Sequence, residues 1–154
     1  MTQIDKSSCG ISVIMPVYNG AAFLSLSLPP LIAMMQRGEI LEVIVIDDGS
    51  SDDSKQIAQQ MGARVLSSGG RIGPGGARNQ AAEIALGEIL WFVDADVVVH
   101  GDAAVNLHKG FDDLQIVAVF GSYDTNPPAR NFFSQYKNLV HHYYHQRASN
   151  EART

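Results

Sequence analysis

The chain is 154 residues long, with 45% hydrophobic and 18% charged residues, enough for one soluble globular domain with a substantial core. A net charge of −5 without any Lys/Arg run excludes nucleic acid as the main partner. The lone Cys9 cannot close an internal disulfide, and no apolar run reaches the roughly 18 residues of a bilayer span. Residues 1–10 form a polar tail without the apolar core of a signal peptide. The expected domain therefore covers residues 11–154, in the cytoplasm or at the cytoplasmic face of a membrane.

Ile11-Ser12-Val13-Ile14-Met15 is β-branched and almost wholly apolar, which predicts a strand buried on both faces. Pro16 should end it, leaving Val17-Tyr18-Asn19-Gly20 as a loop with turn chemistry. A helix is predicted over residues 21–36, with Phe23, Leu24, Leu28, Leu31 and Met35 on its apolar side. Pro29-Pro30 should kink or divide it, and Gly38 closes it. Glu42 to Ile46 predicts a second buried strand, which runs into Asp47-Asp48-Gly49-Ser50-Ser51-Asp52-Asp53. Ser51 or Asp52 can cap a helix over residues 53–61, with Asp53 adding favourable charge. Residues 63–66 form a short third strand.

Ser67 to Gly76 is a glycine-rich loop, and residues 77–85 read as the helix after it, ended by Gly87. Loop N–H groups and a first-turn Arg78 suit an anion. Ile89 to Val93 is the fourth strand, residues 102–111 a helix, residues 116–121 a fifth strand, and residues 129–148 a helix. The dinucleotide fingerprint fails: Gly73-Pro74-Gly75-Gly76-Ala77-Arg78 puts Arg where the third Gly belongs and follows the wrong strand. No Gly-Lys-Ser/Thr completes a Walker loop either.

Strands alternating with helices predict an α/β domain with a mostly parallel sheet. Ligands of such sheets bind beyond the strands' carboxyl ends. Those ends carry Pro16-Val17-Tyr18, Asp47-Asp48-Gly49-Ser50 and Asp94-Ala95-Asp96, so the unusual polar chemistry gathers on one edge. Alone, Asp94 and Asp96 read as solvated acids at a strand end. If the strand runs on, they share a face and offer two hard oxygen ligands to Mg²⁺ or Mn²⁺.

Four blocks, Val13 to Asn19, Val43 to Asp52, Gly75 to Asn79 and Phe92 to Asp96, follow one another in register. Together they resemble the nucleotide-sugar-binding half of a family 2 glycosyltransferase. The resemblance is close from Ile11 to Gly101 and looser beyond. It implies a three-layer, Rossmann-like GT-A sandwich and inverting, metal-assisted transfer from a nucleotide-diphosphate sugar to an acceptor hydroxyl. It also implies roles. Pro16, Val17 and Tyr18 line the nucleoside pocket, Asp48 accepts from the base, and Asp47 and Ser50 shape that loop. Arg78 lies near the diphosphate and Asn79 steadies the loop. Asp94, with Ala95 beside it, approaches the ribose or the metal's water shell, and Asp96 binds Mn²⁺ or Mg²⁺ directly. The acceptor is an unidentified saccharide or lipid phosphate.

The sequence departs from this pattern after Gly121. Asp124 is the only carboxylate before Glu151, and nothing around it resembles the family's base. The catalytic base is thus unassigned, the acceptor half is expected to be missing, and a non-catalytic nucleotide-sugar-binding remnant is the alternative. In the tail, Phe132, Tyr136, Leu139, Val140 and Tyr143 form an apolar stripe opposite His141 and His145. The i, i+4 histidines can bind metal, but an amphipathic helix with outward histidines is the simpler reading. Its stripe suits the missing half, a second copy, a partner or a membrane surface.

Overall fold

The computed structural model describes residues 10–113, 115–122, 136, 138–140, 142 and 143. The chain divides into two compact units, residues 1–115 and 116–154. In the first, strands β1 (Ile11–Val17), β2 (Glu42–Asp47), β3 (Arg64–Ser67) and β4 (Ile89–Phe92) alternate with helices α1 (Ala21–Gln36), α2 (Ser54–Gln60), α3 (Gly73–Ala82) and α4 (Ala103–Gly110). The sheet is wholly parallel with order β3-β2-β1-β4, as the alternating pattern predicted.

The pleat divides the core into two halves. Val13, Met15 and Val17 of β1, with Val43 and Val45 of β2, pack against Leu24, Leu28 and Leu31 of α1, Ala58 of α2 and Ala104 of α4. On the opposite face Ile14, Ile44 and Ile46 meet Ala77 and Ala81 of α3. Small residues on α3 let it lie close to the sheet. The result is the expected three-layer α/β sandwich.

Several local expectations are corrected. Pro16 does not end β1, which continues to Val17. Ile14 C=O accepts from Val93 on the β4 side, whereas Val17 C=O accepts from Asp48 on the β2 side. Position 16 therefore faces β4, beyond that strand's end, where a missing N–H costs the ladder nothing. The helix α1 is not divided at Pro29-Pro30 but runs unbroken for 16 residues. The carbonyls left without a donor belong to Ser25 and Leu26, both exposed, so water can serve them. Its buried side is Leu24, Ser27, Leu28, Leu31, Ile32 and Met34, and Phe23 stays half exposed at the cavity described below.

The helix α3 begins at Gly73, earlier than predicted, with Pro74 near its N-terminus. A first turn needs no intrahelical donors, so proline and glycine are tolerated there. Arg78 consequently lies in the second turn. The second unit forms no strand over residues 116–121, and Val117 and Phe120 are largely exposed. Without a ladder partner such an apolar run has no reason to be a strand. Of the predicted tail helix, residues 136, 138–140, 142 and 143 are described and helical, with Tyr136, Leu139 and Tyr143 exposed. His141, His145 and Asp124 lie outside the described residues.

Candidate nucleotide-binding site

The carboxyl edge of the sheet is built by loops that hydrogen-bond to one another. Asn19 sits in the left-handed region at φ 50°, which its short polar side chain tolerates. Its N–H donates to Ser50 Oγ at 3.0 Å, and its Oδ1 accepts the Ser51 N–H at 2.8 Å. Asp52, not Asp53, links the next helix starts: Oδ2 accepts the Ala21 N–H at 3.0 Å and Oδ1 the Ser54 N–H at 3.1 Å. One carboxylate thus serves the N-termini of α1 and α2, where backbone donors lack partners. The Ser54 hydroxyl is the first cause holding Asp52 below the usual carboxylate range. Neither Ser51 nor Asp52 occupies the N-cap position, which falls on Asp53, whose side chain makes no cap bond; Asp52 reaches the Ser54 N–H from one residue earlier.

The second tie runs from β2 to the glycine loop. Asp48 is only 4% exposed. Its Oδ1 accepts the Ser68 hydroxyl and the Ile72 N–H, both at 2.9 Å, and Oδ2 accepts the Gly73 N–H at 2.8 Å. Burial opposes ionisation, but these donors and the nearby Arg71 charge together outweigh it, so the carboxyl lies below its usual range. Three of its roughly four acceptor positions are occupied by the protein itself. Asp48 therefore braces the loop, with at most one position left for a ligand. Asp47 is also buried and accepts the Ser50 N–H at 3.3 Å.

The third contribution is the Asp94–Asp96 segment, and here the strand argument fails. β4 stops at Phe92, and Asp94-Ala95-Asp96-Val97 is a turn closed by the Val97 N–H on Asp94 C=O at 3.0 Å. The two carboxylates do different things. Asp94 pairs with the Arg78 guanidinium across from α3. Asp96 and Ala95 instead line a cavity of about 210 Å³ together with Pro16, Tyr18, Asn19, Gly20 and Phe23. Val17 is buried and can reach a ligand only through its backbone, and the exposed Asn79 does not line this cavity.

Among the described residues no three His, Cys, Asp or Glu side chains gather as a metal site. Asp94 and Asp96 are hard oxygen donors one residue apart, which fits a Mg²⁺-like ion that keeps waters and takes its other ligands from phosphates. Sequence reasoning missed Arg71 as a participant. Its guanidinium lies 4.0 Å from the centroid of the Tyr18 ring. A cation opposite an aromatic residue across two loops leaves no short-range pattern in the sequence.

The family model described as glycosyl transferase family 2 matches residues 12–153. The chain belongs to this family. A poly(ribitol-phosphate) β-glucosyltransferase of Bacillus spizizenii is 36% identical over 108 residues, 64% of this chain and 17% of that protein. Glycosyltransferase GlyG of Streptococcus pneumoniae is 30% identical over 73% of this chain and 38% of its own length. The chain thus spans well under half of the curated relatives it matches. Among solved structures, glucosyl-3-phosphoglycerate synthase from Mycobacterium tuberculosis, in complex with Mn²⁺, UDP and phosphoglyceric acid, superposes with a TM-score of 0.62 at 30% identity. The match covers 69% of this chain and 40% of that one. S. aureus TarS 1–349 in complex with UDP-GlcNAc gives 0.61 at 30% identity, over 67% and 31% of the two chains. The fold of the first unit is the GT-A sandwich of this family.

Proposed function

We propose that the chain binds a nucleotide-diphosphate sugar and belongs to an enzyme that transfers the sugar to an acceptor hydroxyl with inversion. The observation that carries this is one sheet edge holding the Tyr18–Asp96 cavity beside the Arg78–Asp94 pair. Family membership and relatives described with UDP or UDP-GlcNAc support the donor class. Pro16, Val17 and Tyr18 take the nucleoside, Asp48 offers its last acceptor position to the base, and Asp47, Ser50 and Asn79 keep the loops in place. Arg78 turns from Asp94 towards the diphosphate.

Asp96 and Asp94 would hold Mn²⁺ or Mg²⁺. That ion supplies Lewis-acid stabilisation of the charge gathering on the leaving diphosphate. The acceptor oxygen bonds to the anomeric carbon as the diphosphate oxygen departs, and a carboxylate base takes the hydroxyl proton. No described residue is assigned to that base. The acceptor is a saccharide or lipid phosphate, and exposed Tyr136, Leu139 and Tyr143 favour contact with a second copy or the cytoplasmic face of a membrane. Among the described residues no helix is long and apolar enough to cross one.

Titration calorimetry with UDP tests the reading. Affinity should rise when Mn²⁺ is present. Asp96→Asn should remove most of that rise, because losing a direct ligand outweighs the roughly 10–100-fold lost with an outer-shell partner. A folded chain that binds no nucleotide with or without metal would defeat the proposal.

A further inference from the structure

We propose that Arg71 is a specificity-determining residue that favours nucleoside diphosphates over neutral nucleosides. The inference rests on Tyr18 accepting the nucleobase. Tyr18 is 43% exposed and lines the cavity, and the Arg71 guanidinium stacks on its ring with 4.0 Å to the centroid. At that separation nothing fits between the two planes. A planar base that stacks on the face of Tyr18 covered by Arg71 must first displace the guanidinium.

The backbone that follows Arg71 is fixed. The N–H groups of Ile72 and Gly73 are held by Asp48, so the loop cannot easily carry the guanidinium away. The side chain makes no hydrogen bond or ion pair with any described residue: it stacks on the Tyr18 ring and its charge lies near enough to Asp48 to favour that ionised carboxyl. Its five donors are therefore available once the stack is broken. A neutral nucleoside loses the cation–π contact and gives the released guanidinium nothing in return. A diphosphate attached to the same nucleoside offers it a forked, charge-assisted partner. The stack thus penalises one ligand and is compensated by the other.

The test is titration calorimetry of the full chain and its Arg71→Ala variant with uridine and with UDP, both in Mn²⁺. In the variant, uridine should bind about two- to fivefold more tightly, the range set by an exposed cation–π contact. UDP should bind about three- to tenfold more weakly, as expected for loss of a charge-assisted hydrogen bond. Arg71→Lys should keep part of the UDP preference, since Lys retains the charge without the planar stack. Equal weakening of both ligands would make Arg71 a simple base contact and overturn the proposal, as would no change in either. A folded wild-type chain that binds neither ligand would instead remove the donor reading on which it stands. An unchanged thermal transition for Arg71→Ala confirms that the comparison is between folded proteins.

Discussion

At the scale of single residues, Asp48 shows how one carboxylate can matter more for loop geometry than for direct contact. Asp48→Asn replaces one acceptor oxygen by an amide that cannot receive the Ile72 or Gly73 N–H. We expect a loss on the order of 1–3 kcal/mol, read from denaturant midpoints, because a buried donor is left unmet. An unchanged midpoint would refute the bracing role. The chemistry of this position was visible in the Asp-Asp-Gly-Ser run, but its protein partners were not. Ser68, Ile72 and Gly73 come from a loop 20 or more residues away, and nothing local announces that pairing.

At the scale of elements, what sequence resolved well was what burial dictates. β1 and β2 are continuous β-branched runs because both their faces are covered, so composition and environment coincide. Helix ends were harder, since Gly73-Pro74-Gly75-Gly76 looks like a loop yet opens α3, where first-turn rules differ from interior rules. The turn at Asp94–Val97 was invisible for a similar reason: the apolar run around it suggested more strand, yet β4 ends at Phe92, opposite Ile14, while β1 continues to Val17. Gly87 illustrates packing between elements. A Cβ there would stand 2.5 Å from the Gly10 carbonyl oxygen and 2.6 Å from the Ser12 nitrogen, both backbone atoms that cannot swing aside. Its N–H also donates to Ser12 Oγ at 2.8 Å. Gly87→Ala should therefore cost about 1–3 kcal/mol by overpacking, with a lowered thermal midpoint as the readout.

At the scale of the whole first unit, the two ends of the sheet carry opposite kinds of polar chemistry. The carboxyl edge is open and carries the proposed donor site. The amino edge holds a closed network in which Glu42, nearly buried, accepts the Ser12 hydroxyl and the Leu86 N–H at 2.8 Å each and Arg64 at 2.9 Å. Burial works against ionised Glu42, yet the three donors together prevail and its carboxyl sits below the usual range. Asp48 is lowered likewise. A carboxyl lowered in the folded state adds stability that is complete above its unfolded value, about 3.9 for Asp and 4.3 for Glu, and fades as pH falls through the folded value. Thermal midpoints should thus be steady above roughly pH 5 and drop below about pH 4. Glu42→Gln should flatten that acid limb while lowering the neutral-pH midpoint.

The strand order has a consequence for how the chain reaches this state. β1 comes first in sequence yet lies inside the sheet, between β2 and β4, and Ile11 must wait for Ile89. During synthesis the most apolar strand emerges before either neighbour exists. Its ladder can be completed only after β4 has left the ribosome. Distant pairings of this kind slow folding, because the loop must close before contacts repay it. Until then Val13, Ile14 and Met15 present an unpaired, fully apolar edge, the segment that a growing chain would most need a chaperone to shield.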